Sequence, residues 1–306
     1  MSVLARPAAA AVAAKAFQGA VLFSQRVGVF RPHRFEAYPA DASKLTVPTS
    51  IAPACITVYR PATGESVPPV HVNFHGGGFV LPLTELDDPL CRYLAARAEA
   101  VVINVDYVLA PKHRFPAAPR QAFEVVRWVA EHGAEYGWDS NRLSVGGQSA
   151  GGSLAAAVAR QAHEAGGPKI ALQVLHYPCL DLVTTRESNR PADAKPTLPP
   201  WMMEIFENAY TPDPRVRADR LISPASPADT ADLTGIAPAL MITAEYDPLR
   251  AEGQRYAERL NAIGALVGQV DVAGADHGYD VHDGSKALET YAIIARHLRQ
   301  AVKQPL

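Results

Sequence analysis

The sequence predicts an α/β protein with a mainly parallel sheet covered by helices on both faces. Three observations carry that expectation. From about residue 55 onward, strand-like and helix-like segments alternate over roughly 250 residues. The stretch "VVINVDY" (101–107) is apolar almost throughout, as a buried strand is. The helix candidates between the strands are amphipathic; in "AAPRQAFEVVRWVAEHGAEYG" (117–137), Phe123, Val126, Val129 and Ala130 recur at helical spacing.

Taken in order, "CITVYRP" (55–61) alternates as a strand does, and "VHVNF" (70–74) is a second strand. "PLCRYLAARAEA" (89–100) reads as a helix before the strand 101–107 and the long helix 117–137. "RLSVGG" (142–147) is a strand that runs into the helix "SAGGSLAAAVARQAHEA" (149–165). The strand "KIALQVLHYP" (169–178) follows, then "APALMITAEYD" (237–247) and the helix "LRAEGQRYAERLNAIG" (249–264). "ALVGQVDV" (265–272) is the last strand, and "GSKALETYAIIARHLRQAV" (284–302) the closing helix.

Two regions break this rhythm. Residues 1 to about 45 precede the sheet, and residues 181–220 are proline-rich around one short apolar helix. Both read as additions to a core of about 46–180 and 221–306, the whole chain being one domain. The N-terminal run "MSVLARPAAAAVAAKAFQGAVLF" has some features of a signal peptide, but Lys15 and Gln18 interrupt it. It reads as too short and too polar to span a bilayer, and as an amphipathic helix packed on the body of the protein.

Composition narrows the function. Hydrophobic residues make up 48% of the 306, enough for a large core, and the net charge of −2 suggests neither a nucleic-acid partner nor a membrane surface. Three widely spaced cysteines, Cys55, Cys91 and Cys179, fit neither a disulfide framework nor a zinc site, and point to a reduced, cytoplasmic protein.

In sheets of this class ligands bind beyond the carboxyl ends of the strands, so residues just after each strand come first. Gly147-Gln148-Ser149-Ala150-Gly151 fits G-x-S-x-G between a strand and a helix. Such a turn lifts a serine hydroxyl above the sheet at the positive end of a helix dipole. A phosphate loop is the rival reading of the same glycines, but Gly152 stands where its lysine belongs.

A nucleophilic serine needs a base and the base an orienting carboxylate. His132, His163 and His297 fall on polar faces of helices, and His71 and His176 sit in strands. His277 lies in "AGADHGYD" (273–280), just past the last strand, with His282 its nearest competitor. Asp247 ends the strand 237–247; Asp276, Asp280 and Glu245 are alternatives, Asp276 suiting a loop-shaping role. "NFHGGGFV" (73–80) supplies a glycine loop whose N–H groups can point inward at an oxyanion.

With "HGGGF" at 75, "DYVLAPKHRFPAA" at 106, "GQSAGG" at 147, "EYDPLRAEG" at 245 and "DHGY" at 276, the chain resembles the hormone-sensitive-lipase-like family of α/β-hydrolase carboxylesterases over residues 55–300. The resemblance implies an α/β-hydrolase fold with a small helical cap, and Ser149 as nucleophile, His277 as base and Asp247 as its partner. It implies an oxyanion hole from the N–H groups of Gly76, Gly77 and Ala150. The chain departs from the family pattern at Gln148, where an acid is usual, at Val108, Lys112 and Arg114, where arginine, glutamate and proline are usual, and at Ala251, usually an acid.

The expected activity is hydrolysis of short- to medium-chain acyl esters with no metal or cofactor. The partner is a small-molecule ester, with no nucleic acid and no stable membrane insertion, and a homodimer through a sheet edge is the assembly that the family analogy suggests. The cap helix "PPWMMEIFENAY" would place Trp201, Met202, Ile205, Phe206 and Tyr210 along an acyl pocket. An amidase or aryl-formamidase with the same triad is the alternative enzyme. A non-catalytic receptor on the same fold would tend to lack a triad member.

Overall fold

The structure is a computed structural model and describes residues 2–27, 38, 41–186, 190 and 195–303. Part of each expected cap segment, at 28–37, 39–40, 187–189 and 191–194, lies outside the described residues.

Eight strands form one sheet: β1 (Asp41–Val47), β2 (Ala54–Arg60), β3 (Pro69–Phe74), β4 (Val101–Asp106), β5 (Asp139–Gln148), β6 (Leu172–His176), β7 (Ala239–Ala244) and β8 (Leu266–Val272). Their order is β1-β2-β4-β3-β5-β6-β7-β8. β2 runs antiparallel to both β1 and β4, and every pairing from β4 to β8 is parallel. The helices are α1 (Pro7–Arg26), α2 (Asp88–Ala98), α3 (Ala117–Tyr136), α4 (Ala150–Ala165), α5 (Pro200–Tyr210), α6 (Arg250–Ala262), α7 (Tyr279–His282) and α8 (Gly284–Ala301).

Strand periodicity divides the core in two. Val101, Ile103 and Val105 of β4 and Ala239 and Met241 of β7 face α3, α4 and α6. Val102, Leu240 and Ile242, one position off, face α2 and α8 through Leu94, Tyr291 and Ile294. β3 and β7 are buried at every position, because helices cover both faces. Outer strand β8 alternates instead, and its sequence shows it.

Two expectations are corrected. Asp41–Val47 forms edge strand β1, so the sheet begins before residue 45. In that strand only Val47 is buried, so no apolar alternation announced it. Second, α1 is long and apolar enough, by length and composition, to cross a membrane: 20 residues with a window of mean hydropathy 1.2. At about 1.5 Å per residue its length is about that of a hydrocarbon core. In the structure it lies on the protein. Gln18 donates to the carbonyls of Val80 and Ala110, Gln25 donates to that of Pro82, and Phe17 stacks on Trp201 of α5.

Candidate active site

Ser149 follows β5 directly, with φ 55° and ψ −118°. A positive φ at a non-glycine residue costs on the order of 1–3 kcal/mol, so surrounding contacts have to hold it. They are present: Ser149 N–H donates to the His176 carbonyl at 2.9 Å, and Ser153 N–H donates to the Ser149 carbonyl at 3.1 Å as α4 begins. At Gly151 any Cβ would overlap the Phe74 carbonyl oxygen, which is why the turn needs glycine there. The Ser149 side chain caps no helix N–H and is left to point at His277.

The three residues proposed from sequence come together. Ser149 Oγ lies 2.9 Å from His277 Nε2, and His277 Nδ1 lies 2.7 Å from Asp247 Oδ2. Each sits at the carboxyl end of a strand: β5, β8 and β7. Asp247 is 2% exposed, and its other oxygen accepts from Leu249 N–H at 2.8 Å. Burial, the largest single influence, lowers the His277 pKa, but the charge and hydrogen bond of Asp247 together with the charges of Asp276 and Asp280 outweigh it, and the value stands above that of an ordinary histidine.

The competing residues are engaged elsewhere. His282 is exposed at the end of α7. Asp276 pairs with Arg190 and accepts from the N–H groups of Thr197 and His277, a loop-shaping role. Glu245 accepts from Gly274 N–H. Asp280 accepts from Gln148, Tyr177 and Tyr291. The strand histidines stay neutral: burial lowers His71 to about 3 and His176 to about 4. Among the described residues no cluster of three or more His, Cys, Asp or Glu could hold a metal ion.

A cleft of about 200 Å³ opens above Ser149 and His277. Gly76, Gly77 and Ala150 line it, on the glycine loop and at the first residue of α4. Among the described residues, no backbone acceptor takes the N–H of Gly76 or Gly77. The glycine loop and the first turn of α4, whose N–H groups have no partner within the helix, thus border the cleft beside Ser149.

Of the five residues expected along an acyl pocket, Met202, Phe206 and Tyr210 line the cleft. Ile205 and Trp201 do not. Ile205 is buried in the main core, and Trp201 is 46% exposed, turned toward Phe17 of α1. Sequence reasoning missed Leu81, Leu83 and Leu86, which form another part of the wall. They follow β3, and the rule that ligands sit past strand ends would have found them.

This geometry has close relatives. Residues 71–281 match the family model described as α/β hydrolase fold. The chain belongs to the α/β-hydrolase family, in its hormone-sensitive-lipase-like carboxylesterase branch. It is 37% identical to esterase LipI of Mycobacterium tuberculosis over 254 residues, 81% of this chain and 78% of that one. It is 38% identical to an ethyl acetate hydrolase of Pseudomonas putida over 208 residues, 67% of this chain and 64% of that protein. The thermostable carboxylesterase EstE1, from a metagenomic library, superposes with a TM-score of 0.82 at 32% identity, covering 95% of this chain and 98% of that one. This α/β-hydrolase is a carboxylic ester hydrolase.

Proposed function

We propose that the enzyme hydrolyses short- to medium-chain acyl esters through an acyl-enzyme on Ser149. The observation that carries this reading is the unbroken chain Ser149 Oγ, His277, Asp247, with 2.9 and 2.7 Å separations. Ser149 attacks the ester carbonyl as His277 Nε2 takes its proton, and Asp247 holds the ring and stabilises the imidazolium. The N–H groups of Gly76, Gly77 and Ala150 receive the oxyanion. His277 returns the proton to the departing alcohol, then activates a water that releases the acid and frees Ser149.

Chain length is argued from the cleft. About 200 Å³ is small beside the ~300–1,000 Å³ of sites for drug-sized ligands. Leu182, Leu198, Met202 and Phe206 line it as an apolar wall suited to an alkyl chain. The likeness to an ethyl acetate hydrolase supports the short end of the range. α1 and α5 together act as the cap: α5 supplies part of the wall, α1 backs it through the Phe17–Trp201 stack, and Asn208 of α5 donates to the Leu4 carbonyl in the turn before α1.

The reading is tested with a fluorophosphonate probe and a C2–C10 series of p-nitrophenyl esters beside matched anilides. Expected are labelling of Ser149, its loss in Ser149→Ala, and a maximum at or below C6. Labelling elsewhere, or anilide turnover matching ester turnover, overturns it. Free thiols at Cys55, Cys91 and Cys179 favour a reducing, cytoplasmic compartment, which cell fractionation checks. β8 ends the sheet and offers an edge along which two copies would pair; sedimentation reads that assembly.

A further inference from the structure

Asp280 is a carboxylate 5% exposed, only three residues past His277, and the hydrolytic steps above do not use it. Its oxygens gather three side chains from three separate segments. Gln148, the last residue of β5, donates from Nε2 to Oδ2. Tyr291 of α8 donates to the same oxygen at 3.0 Å. Tyr177, just past β6, donates to Oδ1 at 2.6 Å. Two of these three touch the reacting groups. Gln148 directly precedes Ser149, and the Tyr177 ring meets the His277 imidazole edge to face at 4.9 Å.

We propose that Asp280 is a positioning residue of the hydrolytic site, its single buried carboxylate fixing the turn that carries Ser149 and the ring that backs His277 against the closing helix. This rests on the reading of Ser149 and His277 as nucleophile and base. A carboxylate taken out of water is costly unless hydrogen bonds satisfy it, and three donors do so here. The arrangement then costs little to keep and is stiff, because breaking any one bond strands a buried charge. It also adds a negative charge to those of Asp247 and Asp276, favouring the imidazolium that forms as Ser149 attacks.

Among the described residues, the groups set against His277 are Asp247 from the end of β7, Asp276 with its Arg190 partner and Asp280 from its own segment, and His176 and Tyr177 from the end of β6, while Asp87, Cys179, Arg186 and Glu207 line the cleft it borders. Burial keeps His176 neutral and raises the Tyr177 phenol far above the neutral range, so neither changes charge between pH 5 and 9. Asp247, Asp276 and Asp280 all push His277 upward.

Asp280→Asn tests the role with little change of shape. The amide still accepts from Tyr177, and Gln148 can flip to accept from it. Expected is an acid limb of kcat/KM displaced downward by about half a pH unit, as for a charge several ångströms away in a partly solvated site. kcat is expected to fall roughly threefold to tenfold with KM nearly unchanged, the pattern of a lost transition-state interaction. Tyr291→Phe removes one donor and keeps the charge, and its acid limb should stay in place.

A merely structural role would lower activity and melting temperature without moving the limb. A folded Asn variant whose limb coincides with that of wild type overturns the proposal. If that variant does not fold, Gln148→Met cuts the tie to the Ser149 turn alone. Fluorophosphonate labelling should then slow about tenfold, the order of effect expected when positioning at a reacting centre is loosened, and an undiminished rate overturns the proposal. Labelling of wild type runs alongside: failure to label Ser149 overturns the triad reading, whereas a labelled wild type with an unmoved limb overturns only the role of Asp280.

Discussion

The ring of Phe206, on α5, fills the space that a side chain at Gly78 would need: a Cβ there would overlap the ring carbons. α5 and the glycine loop are thus in direct contact, one residue beyond Gly77. Gly78 also has φ +61°, where an L-residue pays a steric penalty. Gly78→Ala is therefore expected to displace either Phe206 or the loop, lowering kcat/KM for a butyrate ester at least tenfold and up to about the 10²–10³-fold of a lost oxyanion donor. If the overlap is the main cause, adding Phe206→Ala should recover part of the loss. A double-mutant cycle measures that as a coupling of about 0.5–3 kcal/mol.

Phe206 and Trp201 lie on the same helix but differ in what they face. Phe206 lines the cleft; Trp201 stacks on Phe17 at 5.7 Å between centroids. Phe206→Ala should shift the preference among C2, C4, C6 and C8 esters toward longer chains, by about 1–3 kcal/mol for each methylene-sized contact at most. Trp201→Ala should leave the chain-length profile in place and lower the melting temperature instead. A matching shift in both variants would place Trp201 at the cleft.

Much of this was readable beforehand, for a physical reason. The Ser149 turn and Asp247 each follow a strand with a buried run, which announces itself by apolar residues, and His277 follows β8, whose alternation is legible in its own way. Other features depend on how elements face each other. Edge strand β1 is mostly exposed and carries "DASKLTV", so burial left no pattern in it. Helical periodicity grouped Trp201, Met202, Ile205, Phe206 and Tyr210, but not which face would turn to the cleft. The bond from Gln148 to Asp280 joins residues 132 positions apart, beyond any local pattern. Gln148 did stand out as a departure from the family, and its partner explains what the side chain does there.

The raised His277 pKa has two consequences of opposite sense. Activity requires the neutral ring, so the acid limb of kcat/KM should lie above the ~6.5 of a free histidine. Stability runs the other way. A group whose pKa rises on folding adds stability that is fully present below its unfolded value and is lost as pH rises through the folded value. His277→Gln should therefore cost more melting temperature at pH 5.5 than at pH 8.5. Asp247→Asn should bring the limb down and lower kcat by about 10⁴-fold, the scale of a misoriented triad histidine. Equal melting penalties at the two pH values would contradict the raised pKa.

Arg186 ties the segment after β6 to both α6 and α5. Its side chain is 13% exposed; Nε donates to Glu252 of α6 at 3.0 Å, and NH1 pairs with Glu207 of α5. Glu252 is 2% exposed and also accepts the N–H groups of Leu180 and Asp181. Removing one partner of such a pair leaves a buried charge uncompensated, at about 3–5 kcal/mol. Arg186→Met should accordingly lower unfolding free energy by that order in urea. Replacing Glu252 by Gln in the same chain removes the stranded charge while keeping an acceptor for both N–H groups, and should restore part of the stability. The Glu207 tie would still be missing in that double variant. With α5 held less firmly over the cleft, KM for a butyrate ester should stay raised even where stability has recovered. A double variant that recovers stability and KM together would show that Arg186 acts only through Glu252.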